Sequence, residues 1–136
     1  MYCMNFYLNR FGFQKPTFTD QPNTQLGLVV VIPCFNEPDL IQSLHAVLNC
    51  DQPSCAVEVI TVINSGEHSP TDIKEHNLKT LREAQDWADK VNTEALKFLF
   101  MHEPDLPKKH AGVGLARKLG MDEAVARFDR LDKEGI

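Results

Sequence analysis

The chain has 136 residues, a net charge of −5 and a sequence pI near 5.5. That length suits one domain around one hydrophobic core, and 43% apolar with 24% charged residues argues against a disordered polymer. An acidic domain without clustered Lys and Arg has no electrostatic footprint for nucleic acid, so that class of partner is set aside.

Residues 1–25 read as an irregular arm with Pro16, Pro22 and scattered Phe and Tyr. Either the aromatics pack it onto the core or it is a flexible leader. It lacks the basic start and continuous apolar run of a secretory signal. Nowhere does the chain approach the ~20 apolar residues of a membrane span. The four cysteines, Cys3, Cys34, Cys50 and Cys55, form no CxxC pair and no zinc-type spacing. Cys50 and Cys55 are near enough to bridge in an oxidising compartment, but free thiols are the simpler reading.

The domain proper is taken as residues 26–136. Leu28 to Ile32 is five apolar residues, the pattern of a central parallel strand buried on both faces. Pro33 is expected to end it. A helix should follow with Pro38 in its first turn, capped by Glu37 or Asn36. Leu40, Ile41, Leu44, Val47 and Leu48 give it one apolar face. A second strand is predicted over Val57 to Ile63, ending in the turn chemistry of Asn64-Ser65-Gly66. Residues 72–91 read as a long amphipathic helix with Ile73, Leu78, Leu81, Ala84, Trp87, Ala88 and Val91 toward the core. A third strand is predicted over Leu96 to Met101, a loop over His102 to Lys109, and a third helix from His110 or Ala111 to Phe128. Strand–helix alternation of this kind predicts an α/β fold: a three-layer, Rossmann-like parallel sheet with helices on both faces. Ligands of such sheets bind beyond the carboxyl ends of the strands, so loops 33–38, 64–70 and 102–112 are the places to inspect.

The first of these loops, Pro33-Cys34-Phe35-Asn36-Glu37, has none of the glycines that let a pyrophosphate approach the backbone. It offers an amide and a carboxylate, which suit ribose hydroxyls or a base edge better than phosphate. Helix capping alone is the competing explanation. In the second loop, Asn64 has the donor and acceptor that reading a base edge requires, and Gly66 permits a turn. In the third, Lys108 and Lys109 precede a helix start where small residues recur at 112, 114, 116 and 120. Cations and a helix N-terminus favour an anion there. Arg117 blocks a GxGxxG fingerprint, and the Gly-Lys-Ser/Thr ending of a P-loop is missing.

Together the three loops resemble the family 2 glycosyltransferases, inverting enzymes with the GT-A nucleotide-diphosphosugar fold. That family opens with an apolar strand running into Pro-x-Tyr/Phe-Asn-Glu, as Val29 to Glu37 does here. Its second strand usually ends in Asp-Asp/Asn-Gly-Ser, where this chain has Asn64-Ser65-Gly66. Its third block, Gly-x-x-x-Ala-Arg-Asn-x-Gly, is matched by Gly112, Ala116, Arg117 and Gly120, with Lys118 for the Asn. The resemblance covers roughly residues 27–125, and segment 67–95 is longer than the family's usual connection.

The resemblance implies a nucleoside pocket formed by Pro33, Cys34, Phe35, Asn36, Glu37, Asn64, Ser65, Gly66, Lys109, Gly112 and Arg117, with a UDP- or GDP-linked sugar as ligand. In the complete family fold, in-line displacement at the anomeric carbon uses Mg or Mn held by Asp-x-Asp and a later carboxylate that deprotonates the acceptor. No Asp-x-Asp occurs here, and Glu103-Pro104-Asp105 is a poor surrogate. The expectation is therefore an incomplete GT-A fold that supplies nucleotide binding, holds no catalytic residue or metal of its own, and is inactive alone. A cytoplasmic location follows from the resemblance, at the inner face of the membrane for a longer protein. An uncovered sheet edge would favour self-association. The alternatives are a non-catalytic nucleotide-binding or regulatory module, a nucleotidyltransferase, which would want a Gly-rich basic loop after the first strand, and a flavodoxin-like module, which would want a Ser/Thr/Gly-rich one.

Overall fold

The computed structural model describes residues 12, 14–107 and 113–131. Three strands alternate with three helices: β1 (Leu26–Cys34), α1 (Leu40–Leu48), β2 (Ala56–Gly66), α2 (Thr71–Val91), β3 (Leu96–Leu106) and α3 (Val113–Arg130). The sheet is wholly parallel, in the order β1-β2-β3. The α/β, Rossmann-like architecture expected from the alternation is the one observed.

Side-chain alternation along β2 divides the core into two halves. Val57, Val59 and Ile63 face α1 and α2, packing with Leu40, Leu44, Ala84, Ala88 and Phe98. Trp87 meets Phe98 edge-on at 4.8 Å, a geometry aromatic rings favour. Ile60 and Val62 face the other way, onto Ala116 and Leu119 of α3. The helices thus occupy both faces, as a parallel sheet requires.

The position of β1 and several element boundaries differ from the sequence reading. β1 is an edge strand among the described residues, and β2, buried from Ala56 to Ser65, is the central one. β1 is apolar throughout because α1 covers one of its faces and α3 the other. Pro33 does not end β1; it pairs in register with Val62, and an edge tolerates a residue without an N–H. β2 and β3 both run on past their expected ends. Asn64 pairs with Glu103 and Gly66 with Leu106, so Pro104 and Asp105 stand opposite Ser65 alone. This bulge takes up the proline, and the edge position of β3 lets His102, Glu103 and Asp105 be polar. α1 also begins later than expected: Asp39 precedes it and makes no side-chain cap, so neither Asn36 nor Glu37 is the cap.

α3 packs on β1 and β2, which leaves the corresponding face of β3 to be covered by the N-terminal arm. Phe18 fills the space beside Leu99 and Met101. The arm is pinned by polar contacts to α3. The backbone N–H groups of Thr17 and Phe18 donate to the buried Glu123 carboxylate, and Gln21 donates to the Arg130 carbonyl at 3.2 Å. Burial pushes the Glu123 pKa up despite those two donors. Between them Arg127 forks onto Glu58 of β2 at 2.8 and 2.7 Å and reaches Asp20 at 2.9 Å. Its side chain is 1% exposed, as is that of Glu58 at 3%. The hydrogen bonds from Arg127 hold the Asp20 carboxyl below the usual range, and Glu58 and Asp20 outweigh burial to push the Arg127 pKa up.

Candidate functional site

The loop leaving β1 is the most open part of the carboxyl end. Cys34 is buried, and the next three side chains turn outward: Phe35 is 52% exposed, and Asn36 and Glu37 are exposed too. The reversal comes from Asn36, whose φ of 49° lies in the left-handed region. Asn accepts that conformation more readily than most residues. The Glu37 carboxylate accepts the Asp39 N–H at 3.2 Å, which steadies the entry to α1 while the carboxylate stays in solvent. An aromatic face, a carboxamide and a carboxylate are thus displayed side by side where open parallel sheets bind ligands.

The end of β2 is built differently. Asn64 is 3% exposed, and its carboxamide donates to the carbonyls of Cys34 and Val62, both at 3.1 Å. Ser65, 1% exposed, donates to the Pro104 carbonyl at 2.7 Å. The Gly66 N–H donates to Ser69 Oγ at 2.9 Å. These groups stitch the strand ends together instead of facing outward, because β2 runs on to Gly66 and β3 to Leu106, past the ends expected at Ile63 and Met101.

Arg117 is exposed near the start of α3. Gly120 of the same helix lies against Val31. Arg117, three residues earlier, sits about 4.5 Å nearer the carboxyl ends at the helical rise. It is therefore level with Ile32 and Pro33, roughly one to two strand residues beyond Val31 at ~3.3 Å each, on the face opposite α1. Lys109 and Gly112 lie outside the described residues, and so does the loop that carries them. Of the residues singled out from sequence, Phe35, Asn36, Glu37 and Arg117 remain open to a ligand. Pro33, Cys34, Asn64, Ser65 and Gly66 serve the framework.

The sequence reading overlooked Asn77. This α2 residue is 2% exposed and joins the two loops, accepting the Asn36 N–H at 3.0 Å and donating to the Asn64 carbonyl at 2.9 Å. The available signal was its position: Ile73, Asn77, Leu81, Ala84 and Ala88 fall on one helical stripe, so a polar residue stands where the core pattern calls for an apolar one.

The described residues do not assemble a cation site: no group of three or more His, Cys, Asp or Glu is gathered to hold one. Glu103 is engaged by Gln14 at 2.8 Å and Asp105 by Lys74 at 2.7 Å. Cys34 is not a nucleophile, since burial pushes its thiol pKa up to about 11. The described cysteines are free, Cys50 exposed and Cys34 buried. Iodoacetamide at pH 7.5 should alkylate Cys50 readily and leave Cys34 unmodified until the chain is unfolded; peptide mass mapping reads both sites.

The fold and the site together define an α/β domain of Rossmann-like type with an open carboxyl-end loop after its first strand. Comparison with protein-family models, with curated proteins and with solved structures finds no match to this chain. No helix among the described residues is long and apolar enough to cross a membrane.

Proposed function

We propose that this chain binds the nucleoside part of a nucleotide sugar and supplies that half of a glycosyltransferase of the family 2 type. One observation carries the reading: Phe35, Asn36 and Glu37 stand exposed at the carboxyl end of β1, on a backbone turn held from beneath. Phe35 provides a face on which a base can stack, and Glu37 accepts hydrogen bonds from ribose hydroxyls or base N–H groups. The carboxylate repels bare phosphate, so the diphosphate belongs on the side of Arg117. The Mg or Mn of a complete transferase has no fitting ligand set among the described residues. The outer edge of β1, nine residues without a charged side chain and unpaired among the described residues, is where a further strand or a second copy would add.

Isothermal titration with UDP and GDP in EDTA tests the reading. Saturable binding is expected with at least one of them. Stacking on an aromatic side chain contributes ~1–3 kcal/mol, so Phe35→Ala should weaken binding from severalfold to about a hundredfold. Glu37→Ala should cost about tenfold or more, as for other hydrogen bonds to a charged group. Unchanged affinity in Glu37→Ala would return that residue to its contact with the Asp39 N–H. Absence of binding by the unaltered chain would sink the proposal.

A second reading, a nucleotide-binding module that performs no transfer, is favoured by the end of β2. Asn64 and Ser65 are occupied by framework bonds there and are turned away from a ligand. Nucleotide binding without sugar transfer or hydrolysis, in the presence of Mg or Mn, would select it.

A further inference from the structure

Asn77 occupies a core position of α2 at a point where two strands end. Its planar carboxamide uses both of its ends: Oδ1 accepts the Asn36 N–H at 3.0 Å, and Nδ2 donates to the Asn64 carbonyl at 2.9 Å. Both partners are backbone groups just past the last β1–β2 pair, Cys34 with Ile63: Asn36 beyond the end of β1, and Asn64 one residue further along β2. The bond to Asn36 falls on the single non-glycine residue with positive φ among the described residues. That residue separates Phe35 from Glu37, so its backbone direction sets where both side chains point. Asn64 in turn donates to the Cys34 carbonyl, which closes a circuit from α2 through β2 to the last residue of β1. The circuit is sheltered from water, Asn77 being 2% and Asn64 3% exposed.

We infer that Asn77 is a positioning residue for the nucleoside pocket: through the Asn36 N–H it fixes the turn that presents Phe35 and Glu37, and through the Asn64 carbonyl it locks that turn to the end of β2. The inference rests on the reading of loop 35–37 as a nucleoside site, but its structural half is independent of any ligand. A purely apolar residue at 77 would fill the same core volume and leave both backbone groups without a partner. The turn would then be free to relax toward the negative φ that Asn36 otherwise prefers.

The experiment uses the full chain and three variants. Amide hydrogen exchange of Asn36, followed by NMR, reads the turn directly, and titration with UDP and GDP reads the pocket. Asn77→Leu is expected to speed exchange at Asn36 at least tenfold and to weaken nucleotide binding about tenfold, although Phe35 and Glu37 are untouched. Asn77→Asp keeps the acceptor for Asn36 and should retain most of that protection. Ala88→Gly, on the same helix but away from the loop, lowers stability and should leave both the Asn36 amide and the affinity as they were. Asn36 protection unchanged in Asn77→Leu, or lost equally in Ala88→Gly, would overturn the inference. Should the unaltered chain bind neither nucleotide, the proposed function fails while the Asn36 amide still decides whether Asn77 holds the turn.

Discussion

Replacing Arg127 with leucine is expected to destabilise the fold by about 3–5 kcal/mol, the usual cost of breaking a buried ion pair from one side. The leucine removes both of the short bonds to Glu58, whose carboxylate then lies in the central strand with no countercharge. Total stabilities of ~5–15 kcal/mol leave little margin for a loss of that size. The double variant Glu58→Gln with Arg127→Met should recover most of it, since a well-packed neutral pair often matches the ion pair it replaces. Asp20 need not be altered, because its side chain is 62% exposed and can be solvated. Urea denaturation of the double variant and of its own two component single variants closes a cycle, with Arg127→Leu measured beside it. A double variant as unstable as Arg127→Leu would show that the guanidinium matters through its contacts to the arm, at Asp20 and over the Phe18 ring, and not through Glu58.

Gly120→Val is the second substitution with a large expected effect. A Cβ at Gly120 would lie inside the van der Waals envelope of Val31 Cγ1 and 3.1 Å from Val62 Cγ2. Both neighbours belong to strands that cannot move apart without breaking the ladder. Overpacking a tight core costs ~1–3 kcal/mol, and the branched side chain belongs at the upper end of that range. Gly114 on the same helix is the control: nothing lies within 4 Å of a Cβ built there, so Gly114→Ala should be neutral or stabilising through helix propensity. Thermal melts of the two variants should move in opposite directions. The two glycines look alike in sequence, and only the crossing of α3 over β1 tells them apart.

That contrast marks how far the sequence could be read. The order of elements was legible because β1 and β2 carry short, largely apolar runs and α2 a period-3.6 stripe broken at Asn77, a combination that few alternatives fit. The far ends of β2 and β3 were not, because Asn64, Ser65, His102, Glu103 and Asp105 have the composition of loops. Their strand geometry comes from pairing with each other across a bulge, which a one-dimensional pattern does not record. The same limit applies to the site. Phe35, Asn36 and Glu37 were identified from a motif and lie open. Asn64 was identified in the same way, yet it is turned inward by a strand end that local chemistry did not predict. Asn77, Glu58 and Arg127 were passed over because local sequence does not show what would satisfy a buried polar or charged side chain at those positions. Their burial depends on partners 41, 69 and 107 residues away.

The contacts of the arm join opposite ends of the chain, with Thr17 bound to Glu123 and Gln21 to Arg130 across separations of 106 and 109 residues. During synthesis the arm leaves the ribosome first, and α3 is the last of the described elements to follow. Until α3 is complete, β2 carries the Glu58 carboxylate without its guanidinium, and the arm that brings Phe18 onto β3 lacks its bonds to Glu123, Arg127 and Arg130. The half of the core facing α1 and α2 can form while translation continues, whereas the other half must wait. Nascent chains halted before α3 should therefore expose one finished and one open face of the same sheet, a state in which chaperones have more to bind than the completed protein ever shows.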